Sequence, residues 1–173
     1  MEDEKLQRNI LQYLEETQKR LPDKIAYGDE TSSITFSRVY DEARAIGSFL
    51  ADKGFYKEPI VVFMKKQPST LVAFFGAIYG GCFYVPLDEE MPSFRIELIF
   101  EKLKPRAVIC DESTRELLKG FTFTGEAYLY DQIIKTEINH KALDSIRDKA
   151  IDTDPIYIVF TSGSTGIPKG VVA

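Results

Sequence analysis

The sequence predicts an α/β fold, a mostly parallel sheet flanked by helices. Apolar runs at 60–64, Phe83–Leu87 and Ala107–Cys110 are short and unbroken, and longer periodic segments separate them. The short runs lack apolar/polar alternation, which marks strands covered on both faces. Strand and helix patterns alternate from residue 34 to 130. That order favours parallel strands joined by crossover helices.

The elements follow in order. Leu6, Ile10, Tyr13, Leu14 and Thr17 recur at helical spacing, and predict an amphipathic helix that stops before Pro22. Segments 24–28 and 33–36 read as a hairpin around Asp29-Glu30-Thr31. Ser37 is the expected cap of the next helix, with Val39, Ala43, Ile46 and Leu50 as its core stripe and Gly54 at its end. A strand at 60–64, a helix at 69–79 and a strand at Phe83–Leu87 come next. Ser93 is the expected cap of a helix that turns Ile96, Ile99, Phe100 and Leu103 inward. Strand Ala107–Cys110, short helix Glu112–Leu118 and a strand at 127–130 complete the alternation. Residues 137–154 are polar and mixed in charge, and read as a surface connection, helical in part.

Composition narrows the function. A chain of 173 residues is long enough for one domain with its own core, and 44% hydrophobic content suits a globular one. A net charge of −5, with no basic cluster longer than Lys65-Lys66, argues against a nucleic-acid partner. Cys82 and Cys110 lie in apolar runs without metal-ligand spacing, as reduced core thiols of a cytoplasmic protein would. The start, Met1-Glu2-Asp3-Glu4-Lys5, is no secretory signal. Residues 67–87 are uncharged and nearly long enough to span a bilayer. Pro68, Gly76, Gly80-Gly81 and Pro86 divide them into helix and strand, so no membrane span is expected.

The chemistry-bearing segment is Thr161-Ser162-Gly163-Ser164-Thr165-Gly166-Ile167-Pro168-Lys169-Gly170, after the apolar strand 156–160. Glycines let backbone N–H groups approach an anion, hydroxyls donate to phosphate oxygens, and a lysine adds a mobile positive charge. It is neither a Walker A loop nor a dinucleotide fingerprint, since both spacings are absent.

All ten positions from Thr161 to Gly170 resemble the phosphate-binding signature of adenylate-forming, AMP-binding enzymes, with Ile167 at the variable place. Gly80-Gly81-Cys82-Phe83-Tyr84-Val85-Pro86-Leu87-Asp88, followed by Pro92 and Arg95-Ile96, resembles a second segment of that family. This version is typical of its amino-acid-activating members. Thr35-Phe36-Ser37 with Glu42 is similar, more loosely, to an early Thr-Tyr-x-x-Leu region. The resemblance implies the first subdomain of the adenylate-forming enzyme fold, spanning 1–173 and cut just after the phosphate loop. The end at Gly170-Val171-Val172-Ala173, inside what reads as a further apolar strand or helix start, favours that expectation.

The implied function is that of an amino-acid adenylation domain or a D-alanine–carrier-protein ligase. ATP and Mg2+ would be used in the complete enzyme, and a phosphopantetheinylated carrier protein would accept the product. Thr161, Ser162, Gly163, Ser164, Thr165, Gly166 and Lys169 are the implied nucleotide-binding residues; no catalytic or metal-binding residue is implied within this stretch. An acyl- or aryl-CoA ligase and a stand-alone, non-catalytic nucleotide- or partner-binding module remain alternatives. Among other residues, Tyr84 to Asp88 reads as structural, with Asp88 capping a turn. Arg95 is expected to meet Asp88, Glu89 or Glu90, or to sit in solvent. His140 has no ligand partner at metal spacing. Asp111-Glu112 reads as charge placed at a helix start.

Overall fold

The computed structural model describes residues 9–162 and 168–173. Helix α1 (Ile10–Arg20) leads into the antiparallel hairpin β1 (Ile25–Gly28) and β2 (Ser33–Thr35). Helix α2 (Phe36–Asp52), β3 (Pro59–Phe63), α3 (Pro68–Tyr79), β4 (Phe83–Leu87), α4 (Ser93–Leu103) and β5 (Ala107–Cys110) follow. Then come α5 (Glu112–Leu118), β6 (Glu126–Leu129), α6 (Tyr130–Ile133), α7 (His140–Lys149), β7 (Ile158–Ser162) and β8 (Pro168–Val172).

The central sheet has four strands in the order β4-β3-β5-β6, and every pair is parallel. Its unbroken apolar strands divide between two cores. Ile60, Val62, Ala107 and Ile109 face the layer of α1, α2, α3 and α7. Val61, Phe63, Val108 and Cys110 face a second cluster with Ile96, Ile99, Phe100 and Leu118 from α4 and α5. Successive strand residues point to opposite faces, so both faces must be covered, as the lack of alternation predicts.

Val39, Ala43, Ile46 and Leu50 of α2 are all fully buried, as the spacing predicts. Helices α2 and α3 cross in close contact because glycines meet larger groups there. A Cβ on Gly76 would stand 2.5 Å from Ile46 Cγ2, and one on Gly47 would stand 2.6 Å from Tyr79 Cβ. The uncharged stretch splits where expected, with Gly80 ending α3 and Gly81 at φ 69° turning the chain into β4. No helix among the described residues is long and apolar enough to cross a membrane.

Several local expectations are corrected. Thr35, not Ser37, caps α2, accepting from Arg38 N–H at 3.4 Å. Thr35 is still paired with Ile25 in the hairpin, so its extended backbone places the hydroxyl at the first free N–H groups. Ser93 does not cap α4; Pro92 holds the cap position, with no side-chain bond. In α1 the buried residues are Leu11 and Leu14, while Ile10 and Tyr13 are 39% and 60% exposed. That face is rotated because Glu15 joins it, accepting from Tyr79 Oη at 3.1 Å and pairing with Arg147. Leu6 lies outside the described residues. The last expected strand of the alternation is Glu126–Leu129, and Tyr130 begins α6. The polar connection holds a ten-residue helix, α7, capped by Asn139, whose own N–H donates to the buried Ser48 hydroxyl of α2 at 2.9 Å.

Candidate functional site

Strands β7 and β8 form an antiparallel hairpin rather than joining the sheet as a ladder. Ile158 pairs with Val172, Phe160 with Gly170, Thr161 with Lys169 and Ser162 with Pro168. The apolar segment at 170–173 is thus mostly strand. Gly163, Ser164, Thr165 and Gly166, implied as nucleotide-binding, lie outside the described residues, as does Ile167. The segment that holds them is closed by the Ser162–Pro168 pair.

Two implied residues come together on this hairpin. Thr161 and Lys169 are direct cross-strand neighbours, so their side chains share one face. Both are exposed, and Thr161 Oγ1 lies 3.5 Å from the Lys169 carbonyl oxygen, a long contact that leaves the hydroxyl free to donate elsewhere. Ser162 continues the same strand. Behind them, Ile158 and Phe160 turn the other way and pack on the second core. Gly170 faces Phe160 because a Cβ there would stand 2.9 Å from Ile158 Cγ2 and 3.4 Å from the Phe160 ring.

The root of the hairpin is fastened to the sheet. Tyr84 N–H donates to the Ile156 carbonyl at 3.0 Å, and Tyr84 and Tyr157 form a parallel bridge. The Tyr84 ring stacks on Phe74 of α3 at 4.2 Å and meets the Tyr157 ring at 5.6 Å. Tyr84 therefore has the structural role read for its segment. So does Asp88, which accepts from Glu90 N–H at 3.0 Å and pairs with Lys66 at 2.7 Å. The Lys66 ammonium, then the Glu90 N–H, holds the Asp88 carboxyl below the usual carboxylate range.

Arg95 differs from expectation. It reaches none of the three acids and donates from Nη2 to the Phe160 carbonyl of β7 at 3.3 Å. From the same helix, Lys102 Nζ donates to the Pro168 carbonyl of β8 at 3.3 Å. Sequence reasoning missed Lys102 altogether, since a lysine near the end of an amphipathic helix reads as solvent-facing.

The remaining candidates are structural. Glu42 pairs with Arg38 at 2.6 Å and accepts from Tyr130 Oη at 2.5 Å. His140 Nδ1 lies 2.8 Å from Arg44 Nη2. Asp111 caps α5 with a reciprocal bond to Thr114, as charge at a helix start should. Cys82 and Cys110 are free and buried, and burial pushes each thiol up to about 11.

Comparison with known proteins places this geometry. The family model described as AMP-binding enzyme matches residues 14–173. A D-alanine--D-alanyl carrier protein ligase of Staphylococcus aureus (strain JH9) is 38% identical over 152 residues, which are 87% of this chain and 29% of that protein. The chain thus spans 29% of the length of that curated relative. VinN, solved in complex with 3-methylaspartate, superposes with a TM-score of 0.72 at 26% identity, over 93% of this chain and 46% of VinN. A fatty acid AMP ligase from Legionella pneumophila shares the fold, with a TM-score of 0.78 at 19% identity over 96% of this chain and 30% of that one.

Proposed function

This chain belongs to the AMP-binding enzyme family, and from that premise we propose that it is the N-terminal part of a ligase that activates an amino acid. Residues 1–173 form the first subdomain of that ligase's AMP-binding domain. The observation that carries the reading is the hairpin. It presents Thr161 and Lys169 on one exposed face, beside the glycine- and hydroxyl-rich segment, on a root fixed to the sheet.

The chemistry suits these groups. An oxygen of the substrate carboxylate attacks the α-phosphorus of ATP, the α–β phosphoanhydride bond breaks, and pyrophosphate leaves. A carrier-protein thiol then attacks the acyl carbon of the aminoacyl-adenylate, and AMP leaves. In the first step an anion approaches a polyanion while charge gathers on the leaving group, so donors fixed before the reaction lower the barrier. The Thr161 and Ser162 hydroxyls would donate to the outer phosphates, and the Lys169 ammonium would balance their charge. Backbone N–H groups of 163–166 would complete the cradle.

The hydroxyl and ammonium donors fit ATP. Among the described residues there is no group of three or more His, Cys, Asp or Glu side chains able to hold a metal ion. Magnesium would enter on the triphosphate, a mode its preference for phosphate oxygens and water allows.

The amino-acid substrate is supported by the Staphylococcus relative, named for D-alanine, and by VinN, solved with 3-methylaspartate. The segment from Tyr84 to Asp88 agrees with it. A carrier protein as thiol acceptor follows the name of the same relative, and the two free, buried cysteines favour the cytoplasm. The 173-residue chain by itself should not adenylate, as it spans 29% of the length of the ligase it resembles. In the full-length protein, Lys169→Ala should slow amino-acid-dependent ATP–pyrophosphate exchange about 100-fold, the cost of one preorganised transition-state donor. Unchanged exchange would remove Lys169 from the assignment.

A further inference from the structure

Among the described residues the hairpin is hydrogen-bonded to the rest of the molecule in two places. At its root it is bonded to β4 through Ile156 and Tyr157. Beyond Tyr157 no ladder joins β7 or β8 to the central sheet among the described residues. An isolated two-stranded ribbon is marginally stable and free to bend. What fixes its far half is α4. Arg95 and Lys102 are seven residues apart, two helical turns on one face. One bonds the carbonyl of Phe160 on the incoming arm, the other the carbonyl of Pro168 on the outgoing arm, each at 3.3 Å. Pro168 is buried, and Phe160 packs on the cluster that α4 supplies with Ile96, Ile99 and Phe100. Arg95 Nε is also buried and has no hydrogen-bond partner among the described residues, so this guanidinium sits against protein rather than in open solvent.

We infer that Arg95 and Lys102 are positioning residues: two charged tethers from α4 that hold the arms of the hairpin and so aim the loop between them. This rests on the reading of that loop as the triphosphate cradle. Neither side chain needs to touch the nucleotide. Each donates to a backbone carbonyl, so it constrains the strand whatever side chain the strand carries. A charge-assisted donor holds such a carbonyl more firmly than a neutral one. Phosphate donors must be fixed before the reaction for their full effect, and a displacement of about 1 Å can cost two orders of magnitude in rate.

The test uses the full-length protein with Arg95→Met, Lys102→Met, the double variant and Arg95→Lys. Methionine keeps the aliphatic stem and removes the charged donor. The first readout is amide hydrogen exchange, which does not depend on activity. The double variant should exchange about tenfold faster at 158–162 and 168–172 while β3 amides keep their protection, as local opening requires. The second is pyrophosphate exchange. The kcat/KM for ATP should fall about tenfold and KM for the amino acid stay within about twofold, with Arg95→Lys recovering part of the loss. Lys102 is exposed, so Lys102→Met serves alone if changes at Arg95 impair folding. Unaltered hairpin exchange would overturn the tether. Faster exchange with an unchanged kcat/KM for ATP would overturn the aiming role. A wild-type protein without pyrophosphate exchange would refute the ligase reading instead, and the amide data alone would then judge the tether.

Discussion

Asp111 joins two strand ends of the sheet. Its Oδ1 accepts from Thr114 N–H at 2.9 Å and Ser113 Oγ at 2.7 Å, and its Oδ2 accepts from Lys65 N–H at 2.9 Å, just past β3. Thr114 completes the link by donating to the Phe63 carbonyl at 2.6 Å. Burial opposes ionisation of Asp111, but the Lys65, Thr114 and Ser113 bonds outweigh it and hold its carboxyl below the usual range. Asp111→Ala should cost about 1–2 kcal/mol at pH 7, the loss of a helix cap. A depressed native pKa gives stability that is complete above the unfolded pKa of about 4 and is lost as pH falls through the lower native value. Urea titrations of the wild type and Asp111→Asn should therefore show a gap that closes below about pH 4. A gap independent of pH would contradict this account. The two thiols make a simpler case. With pKa values pushed to about 11 by burial, Cys82 and Cys110 should resist iodoacetamide in the native protein and react on unfolding, as mass spectrometry would register. The composition of their apolar runs made that burial readable. The cap of α2 was not: Thr35, Ser37 and their neighbours offer hydroxyls in adjacent places, and only the hairpin register selects Thr35.

Among the elements, the α2–α3 crossing sets the thickness of one layer. Gly76→Ala would raise intrinsic helix propensity by about 1 kcal/mol. It should nonetheless destabilise the protein by about 1–3 kcal/mol, because the new methyl enters the space of Ile46. A rise in the urea midpoint would contradict that crossing. Helix and strand positions were legible because apolar periodicity is local. The crossing was not, since it depends on which helix lies against which. Helix α1 illustrates a second limit. Glu15 reads as an exposed acid, yet Tyr79 Oη and Arg147 take it into the packed face and turn Tyr13 outward. Helix α7 has a single buried residue, Leu143, and so leaves almost no apolar stripe to read.

Across the whole molecule, two cores on opposite faces of a parallel sheet support a hairpin that carries the candidate site. Its outward face pairs Val159 with Val171, 40% and 54% exposed, next to Thr161 and Lys169. The candidate nucleotide-binding residues could be named only through the resemblance of 161–170 to the family's signature, since glycines and hydroxyls also fill ordinary surface loops. Their hairpin setting could not, since pairing of Thr161 with Lys169 and the bonds from α4 are matters of tertiary structure. As proposed, this scaffold aims a triphosphate cradle for amino-acid activation. ATP–pyrophosphate exchange by the full-length protein, run against a panel of amino acids that includes D-alanine alongside fatty and aryl acids, tests it most directly. Exchange should depend on an amino acid. Exchange supported only by a fatty or aryl acid, or by no carboxylate at all, would contradict it.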